Sequence, residues 1–186
     1  MSPAVSRLLL VHQMKHVILE YLASPAGNEA SAIENLSKRP EESFEILIKF
    51  NGPYPESVHP KDVHDYLSGL LTGLLLKHPH LLTERDISKM SSGMRYYLIA
   101  AAISSESPIF APVILNALKD RVADKRLLAV NAVTRFKFLQ TTEARLQLQR
   151  MLDLKSMAYC RDQIRLALAV FDDSTENDGD VKTTHD

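Results

Sequence analysis

Apolar residues recur along this chain at the three- and four-residue spacing that is typical of amphipathic α-helices. The clearest stripe lies near the start, where seven apolar residues would share one helix face: Leu10, Val11, Met14, Val17, Ile18, Tyr21 and Leu22. Sustained alternation of apolar and polar residues, which would indicate β-strands, is missing. The pattern therefore predicts an all-α protein.

Proline, glycine and small polar residues divide the apolar stripes into separate helices. Residues 24–27 would end the first helix, and a second short helix is predicted around residues 30–36. Later prolines fall at or just before proposed helix starts, where the ring is tolerated: Pro40, Pro60, Pro79 and Pro108. Side-chain oxygens that could accept from the free amides of a first turn predict three N-caps: Ser107, Asp124 and Thr142.

Four segments of the chain align with one another without gaps, which indicates an internal repeat. They begin at Val63, Met94, Lys125 and Cys160. The next residues are equivalent in this register, at offsets of 31, 31 and 35: His64, Arg95, Arg126 and Arg161. Three positions later come Leu67, Leu98, Ala129 and Ile164, and three after that come Leu70, Ala101, Ala132 and Ala167. A small or apolar residue at these positions would let neighbouring helices approach closely.

The aligned segments resemble the second helix of HEAT repeats, in which a turn Asp precedes an apolar-Arg pair and Ala-rich positions. Asp120 with Arg126 follows this pattern, although Lys125 replaces the usual apolar residue. Asp153 with Arg161 follows it with a two-residue insertion. In the family this Asp and Arg usually bridge adjacent turns, so the resemblance implies a structural role for them.

Two of the four segments depart from the family pattern. The second has Met94 and Arg95 but no turn Asp at the expected place, and the first has His64 instead of Arg. The resemblance covers about residues 41–171.

The resemblance implies a right-handed α-α superhelix of about four helix-pair repeats, whose stacking would build one continuous core. Residues 1–39 would form an N-terminal capping helix pair and residues 40–171 the HEAT-like repeats. Residues 172–186 are predicted to be a disordered acidic tail, because they contain almost no apolar side chain to offset the entropy of ordering.

Sequence patterns for catalysis or cofactor binding are missing: there is no Gly-rich phosphate loop, GxSxG, HExxH, CxxC or EF-hand spacing. The histidines cluster loosely as His59 and His64, then His78 and His80, but helix-end positions favour solvated side chains over a metal site. Cys160, the only cysteine, is predicted to be a small core residue. We therefore predict no catalytic residue, metal or cofactor.

The composition is that of a globular protein, with 45% hydrophobic and 24% charged residues. No apolar run is long enough to suggest a membrane span, and a lone cysteine fits a reducing compartment, so a cytoplasmic location is expected. Gly69 and Gly73 form a GxxxG pair, which in so short an apolar stretch favours close packing between soluble helices.

A binding surface can be predicted from angles around the aligned helices, at 100° per residue. The side opposite the core stripe would face outward, and it predicts these partner-binding residues: Asp65, Tyr96, Ile103, Leu127, Asn131, Thr134, Asp162 and Arg165. The same side also carries Ser68, Ile99, Val130 and Leu166. Several of these residues are apolar, which fits either a partner groove or a face covered by another element.

Two functions follow as hypotheses from the fold. The first is a non-enzymatic protein-binding module, either an inhibitor or immunity-type protein or a regulatory adaptor, since stacked second helices make an extended concave surface. The alternative is nucleic-acid binding, because some HEAT-like proteins cradle duplex DNA in a basic concave face.

The alternative rests on an uneven charge distribution. Residues 1–118 have a net charge of −2, residues 119–171 of +6 and residues 172–186 of −5. The basic segment includes Lys119, Arg121, Lys125, Arg135, Lys137, Arg145, Arg150, Lys155 and Arg165. The acidic remainder and the lack of any Trp favour a protein partner over a nucleic acid.

Overall fold

The computed structural model describes residues 3–84 and 90–176 of this 186-residue chain. Within these residues every regular element is helical, which confirms the all-α prediction. The first five α-helices are α1 (Pro3–Ala23), α2 (Glu29–Leu36), α3 (Pro40–Lys49), α4 (Pro60–Lys77) and α5 (His80–Glu84). The next five are α6 (Ser92–Ser105), α7 (Ala111–Ala117), α8 (Ala123–Arg135), α9 (Thr142–Leu152) and α10 (Arg161–Glu176).

Short 3-10 helices lie between some of these elements, at Pro108–Phe110, Lys137–Leu139 and Lys155–Cys160. In the part of the chain that the structure describes, no helix is both long and apolar enough to cross a membrane. The chain divides into two compact units, Met1–Ser105 and Glu106–Asp186.

In the first unit, α4 is the central helix. It packs against α2, α3, α5 and α6, while α1 lies against α2, α3 and α4. The apolar side chains of α4 form much of the core, and six of them are buried: Val63, Leu67, Leu70, Leu71, Leu74 and Leu75.

The glycines of α4 allow α2 to approach closely. A Cβ at Gly73 would lie 2.2 Å from Ile33 Cδ1, and one at Gly69 would lie 3.2 Å from Glu29 Oε1. Because these two contacts advance along both helices in the same direction, α2 and α4 are parallel. The expectation that this GxxxG pair serves close packing between helices is confirmed.

In the second unit, α8 lies between α7 and α10, and α9 packs against α10. The core contains buried residues from every one of these helices, among them Ile114, Val133, Leu148 and Ile164. In both units, most of these contacts therefore join helices that are one or two positions apart in the chain.

Helix starts agree with the prolines but not with the predicted caps. Pro40 and Pro60 are the first residues of α3 and α4. Ser107 makes no capping hydrogen bond, and Asp124 lies inside the first turn of α8 because that helix begins one residue earlier. The cap of α9 is Thr141, not Thr142, since its Oγ1 accepts from the Ala144 amide at 3.2 Å. Capping depends on the backbone conformation of a single residue, which helical periodicity does not specify.

The last helix extends into the stretch predicted to be an acidic tail. It continues to Glu176, and the Asp172 carboxylate accepts from Arg145 Nη2 at 2.8 Å, so the helical part ends five residues later than proposed. Residues 177–186 of the predicted tail lie outside the described residues.

Candidate binding surface

The four aligned segments have matching patterns of burial. Their first positions are all buried, at Val63, Met94, Lys125 and Cys160. The positions four residues further on are buried as well, at Leu67, Leu98, Ala129 and Ile164. In the third set, Leu70, Ala132 and Ala167 are buried while Ala101 is partly exposed. At these three positions of the alignment the burial therefore matches, with Ala101 as the one exception.

Lys125 is a charged residue at a core position. Its side chain is only 2% exposed, and its Nζ lies 3.8 Å from Oδ2 of Asp120, whose side chain is 6% exposed. The other carboxylate oxygen of Asp120 accepts from the Val122 amide at 2.9 Å. The lysine that replaces the usual apolar residue is thus paired with the carboxylate of the preceding turn.

Arg126 joins the turn before α8 to the 3-10 helix before α10. Its Nη1 donates to the backbone oxygens of Asp120 at 2.7 Å and Arg121 at 3.1 Å. Its Nη2 donates to Ser156 Oγ at 2.8 Å, and its Nε lies 3.2 Å from Met157 Sδ. The resemblance implied a bridge from Arg126 to Asp120, and the bridge exists, but it uses the backbone oxygen of Asp120 rather than its carboxylate.

The residues equivalent to Arg126 also bind the turn that precedes their own helix. Arg95 Nη1 donates to the Met90 backbone oxygen at 3.2 Å, and Arg161 Nε donates to that of Leu152 at 3.3 Å. The exception is His64, which instead stacks on Tyr97 with ring centroids 5.2 Å apart. The resemblance implied a bridge from Arg161 to Asp153, whereas the bond that Arg161 Nε makes is to the backbone oxygen of Leu152.

Five of the eight predicted partner-binding residues are exposed: Asp65, Tyr96, Asn131, Asp162 and Arg165. The other three, Ile103, Leu127 and Thr134, are partly buried. Thr134 Oγ1 donates to the Val130 backbone oxygen at 3.1 Å, so its hydroxyl is already bound to its own helix.

In the first unit, the predicted residue Tyr96 belongs to an aromatic group. Tyr96 is 39% exposed and lies edge-on to Tyr97, with ring centroids 5.5 Å apart. Because Tyr97 in turn stacks on His64, these contacts place the N-terminal halves of α4 and α6 side by side. Asp65, which follows His64 in the chain, is exposed on the same turn of α4.

In the second unit, two predicted residues bind each other. Arg165 Nη1 donates to Asp162 Oδ1 at 2.9 Å across one turn of α10, and both side chains are largely exposed. Leu166, next to Arg165, is 62% exposed.

Part of the predicted outer side is covered. Ser68, Ile99 and Val130 occupy the same position in three aligned helices, and all three are buried. At 100° per residue this position points only about 40° away from the Arg126 position, which faces the adjacent turn or helix. A helix with neighbours on both flanks exposes a narrower side than one that packs on a single partner.

One exposed residue on this surface was missed by the sequence prediction. Leu76, on the last turn of α4, is 49% exposed. It lies eleven residues after Asp65, which is three helical turns, so carrying the angular argument to the end of α4 would have found it. We call Asp65, Leu76, Tyr96 and Ile103 the first-unit strip. The second-unit strip consists of Leu127, Asn131, Thr134, Asp162, Arg165 and Leu166.

Many cations of the basic segment have carboxylate partners. Besides Lys125 with Asp120, ion pairs join Lys119 to Glu143, Arg135 to Glu106, Arg145 to Asp172 and Arg165 to Asp162. The remaining four named cations, Arg121, Lys137, Arg150 and Lys155, are exposed. Five of the eleven Lys and Arg residues in 119–171 therefore have a carboxylate partner.

The groups considered for chemistry have structural contacts. Cys160 is buried, its Sγ lies 3.4 Å from the Met157 backbone oxygen, and burial raises the pKa of the thiol, which disfavours the nucleophilic thiolate. His59 Nδ1 accepts from the Lys61 amide at the start of α4, and His80 Nε2 lies 3.5 Å from Glu41 Oε1. Among residues that the structure describes, no three His, Cys, Asp or Glu side chains are grouped to hold a metal ion.

Comparison with protein-family models, curated proteins and solved structures finds no match for this chain.

Proposed function

We propose that this chain is a HEAT-like helical-repeat protein that binds another protein through the outward side of its second helices. The observation that carries the proposal is the exposure of Tyr96 within an aromatic group: its ring lies edge-on to Tyr97, which in turn stacks on His64. Aromatic side chains held in this way lose little conformational entropy on binding and are frequent anchors of interfaces.

The packing of the helices supports a repeat architecture. In the first unit α2 and α6 flank α4, and α1 lies against α3, which is the arrangement of stacked helix pairs. In the second unit α8 packs against α10, again one second helix against the next. Four repeats after a capping pair, wound as a right-handed superhelix, remain our interpretation of these contacts.

The side chains of the two strips suit a protein partner. The first-unit strip combines an aliphatic residue at one end, Leu76, with Tyr96 and the carboxylate of Asp65 at the other. The second-unit strip places the exposed Leu166 beside a self-paired Asp162 and Arg165. Apolar anchors with charged residues at the edge are the usual composition of a protein interface.

Within this class, an inhibitor or immunity-type protein and a regulatory adaptor both remain compatible with the fold, and the choice between them rests on fold analogy. A buried, solitary cysteine supports our placing the protein in the cytoplasm.

Affinity capture from the native host, followed by mass spectrometry, tests the proposal. We expect the wild-type chain to retain a partner protein that the Tyr96→Ala, Leu127→Ala double variant loses, with helicity by circular dichroism unchanged. The matched control is Tyr54→Ala, Leu146→Ala, because Tyr54 is as exposed as Tyr96 (40% against 39%) but lies outside the strips.

Two outcomes would count against the proposal. Equal loss of the partner in both double variants would show that the strips are not the contact surface. Retention of nucleic acid in place of protein, removable by nuclease, would favour the alternative function.

A further inference from the structure

The core side of α1 is uncovered over the first half of the helix. From Met14 onwards this side faces the interior of the first unit, and Met14, Ile18 and Leu22 are buried. Val11 lies on the same side, since it precedes Ile18 by seven residues and Leu22 by eleven, but it is partly exposed. The apolar side of α1 therefore continues beyond the point at which neighbouring helices cover it.

A groove of about 570 Å³ lies along this uncovered side, between α1 and α3. A second hollow of about 510 Å³ adjoins it, because Arg7 and Val11 line both. Together they extend from Ala4 to Lys15, which is roughly 16 Å along the helix axis. The groove has the size of a small-molecule site and an apolar lining from Leu10, Val11, Ile46 and Phe50.

Arg7 is a cation on the core side of α1. It precedes Met14 by seven residues and Ile18 by eleven, so its side chain leaves the helix in the direction of these buried residues. Within residues 3–84 and 90–176, no carboxylate forms an ion pair with Arg7. The first acidic residue of α1 itself is Glu20, more than three turns further on. A cation on the apolar side of a helix is therefore left without a counter-ion.

The other charges that line the groove do not neutralise this wall. Lys15 is exposed on α1 and also forms no ion pair with a described residue. On the α3 wall, Glu45 binds Lys49 at 2.6 Å. Glu42 lies in the first turn of α3, where the helix N-terminus stabilises a carboxylate. The α1 wall is thus complementary to an anion, and the lining between the charges is complementary to a hydrocarbon chain.

We propose that this groove binds an amphiphilic anion, a free molecule with an elongated hydrocarbon chain and a carboxylate. The carboxylate accepts from the guanidinium of Arg7, which lines both hollows and can donate two parallel hydrogen bonds. Lys15 adds attraction at the other end of the groove. The chain removes from water the apolar side chains that the helices leave uncovered. The proposal does not depend on the strips or on the function proposed for them.

Isothermal titration of the full chain with sodium decanoate, below its micelle concentration, tests the proposal. We expect saturable one-to-one binding, and much weaker binding of decyltrimethylammonium, which has a chain of equal length and a positive head group. Arg7→Gln should weaken decanoate binding about tenfold, because it removes hydrogen bonds between charged groups. Arg150→Gln is the matched control, since Arg150 is an exposed helix residue outside the groove, and it should bind like wild type.

Filling the groove tests the position of the chain separately from the charge. Val11→Trp places a large side chain in both hollows and should abolish decanoate binding. Leu9→Trp is its control on the same helix, because Leu9 is 48% exposed and lies on the opposite side of α1. Circular dichroism should show equal helicity for both variants.

Three results would overturn the proposal. Equal binding of decanoate and decyltrimethylammonium would show that the groove does not select an anion. Decanoate binding by Arg7→Gln as tight as that of wild type would show that Arg7 does not hold the carboxylate. Absence of decanoate binding, with co-sedimentation of the chain on phosphatidylglycerol vesicles, would identify a membrane surface as the partner of α1 instead.

Discussion

Lys125 Nζ and Asp120 Oδ2 lie 3.8 Å apart in the interior of the second unit, with side chains 2% and 6% exposed. At the equivalent positions of the other aligned segments the residues are Val63, Met94 and Cys160, which bring no charge into the core. A buried ion pair therefore occupies a site that an apolar side chain fills elsewhere in the same chain.

The pair should behave differently when one or both charges are removed. Asp120→Asn keeps an oxygen for the Val122 amide but removes the carboxylate charge that faces the buried Lys125, so we expect a loss of about 3 kcal/mol of unfolding free energy. The double variant Lys125→Met, Asp120→Asn should recover to within about 1 kcal/mol of wild type, because an apolar replacement of a buried pair is often neutral.

Urea denaturation of the variants measures these differences. Glu143→Gln serves as the control, since it breaks the largely exposed pair with Lys119 and should cost less than about 1 kcal/mol. If the double variant is as unstable as Asp120→Asn alone, the instability of Asp120→Asn does not come from the charge of Lys125.

The two glycines of α4 should respond in opposite ways to alanine. At Gly69 the added Cβ would meet the end of the Glu29 side chain at 3.2 Å and the Tyr21 hydroxyl at 3.9 Å, so helix propensity should dominate and stabilise the protein by about 0.5–1 kcal/mol. At Gly73 the Cβ would lie 2.2 Å from Cδ1 and 2.9 Å from Cγ1 of the stiff Ile33 side chain, so a loss of about 1–2 kcal/mol is expected.

Thermal unfolding of both variants and of Gly73→Ala, Ile33→Ala measures this contrast. Shortening Ile33 to alanine should relieve the clash. Ile33→Ala should therefore lower the unfolding free energy less in the Gly73→Ala background than in wild type. Strictly additive effects would mean that α2 and α4 are not as close as this contact requires.

Tyr21 should make the protein sensitive to alkaline pH. Burial, followed by the carboxylate of Glu29 and the hydroxyl of Tyr66, raises the pKa of Tyr21 from about 10 to about 12. Between these values the unfolded chain loses the proton while the folded chain keeps it, so the contribution to stability is complete below pH 10 and is lost as pH rises towards 12.

Tyr21→Phe removes this titration. Between pH 10 and 12, the unfolding free energy of Tyr21→Phe should therefore fall by about 2–3 kcal/mol less than that of wild type. Urea denaturation at several pH values across the window measures the difference. Tyr54→Phe, an exposed position, should keep the wild-type pH dependence. Parallel pH profiles for wild type and Tyr21→Phe would contradict the raised pKa.

The ion pairs of the basic segment should suppress nucleic-acid binding. Binding to duplex DNA by free cations weakens with salt at a slope of about −0.9 per phosphate neutralised. Since five of the eleven Lys and Arg residues in this segment have carboxylate partners, we expect no salt-sensitive binding of DNA or RNA near physiological ionic strength.

Fluorescence anisotropy with a labelled duplex over a salt series measures this binding. Replacing the partners of two exposed cations, as in Glu106→Gln, Asp162→Asn, should increase binding at low salt. Sub-micromolar wild-type binding that disappears in Arg135→Glu, Arg165→Glu would instead favour the nucleic-acid function.

Local spacing was sufficient to predict the helices and their shared register. Local spacing predicts the start of α3 and α4 at proline and the end of α1 before residue 24. It also predicts burial at one set of equivalent positions: Leu67, Leu98, Ala129 and Ile164. Helical periodicity is encoded within about ten residues, and burial of the apolar side follows because that side must leave water. The exposure of Tyr96, Asn131 and Asp162 could be predicted from the same angles.

Contacts between distant residues decided the rest. Glu29 and Ile33 of α2 cover the Gly69 and Gly73 side of α4, forty residues later in the chain, and no spacing within α4 indicates this. Likewise, Arg145 meets Asp172 and Lys119 meets Glu143 only because the fold brings separate helices together. The sequence by itself determined which residues form helices and which side of each turns inward. Only the tertiary structure decided which charges form ion pairs and which outer positions are exposed to solvent, because both depend on neighbours from elsewhere in the chain.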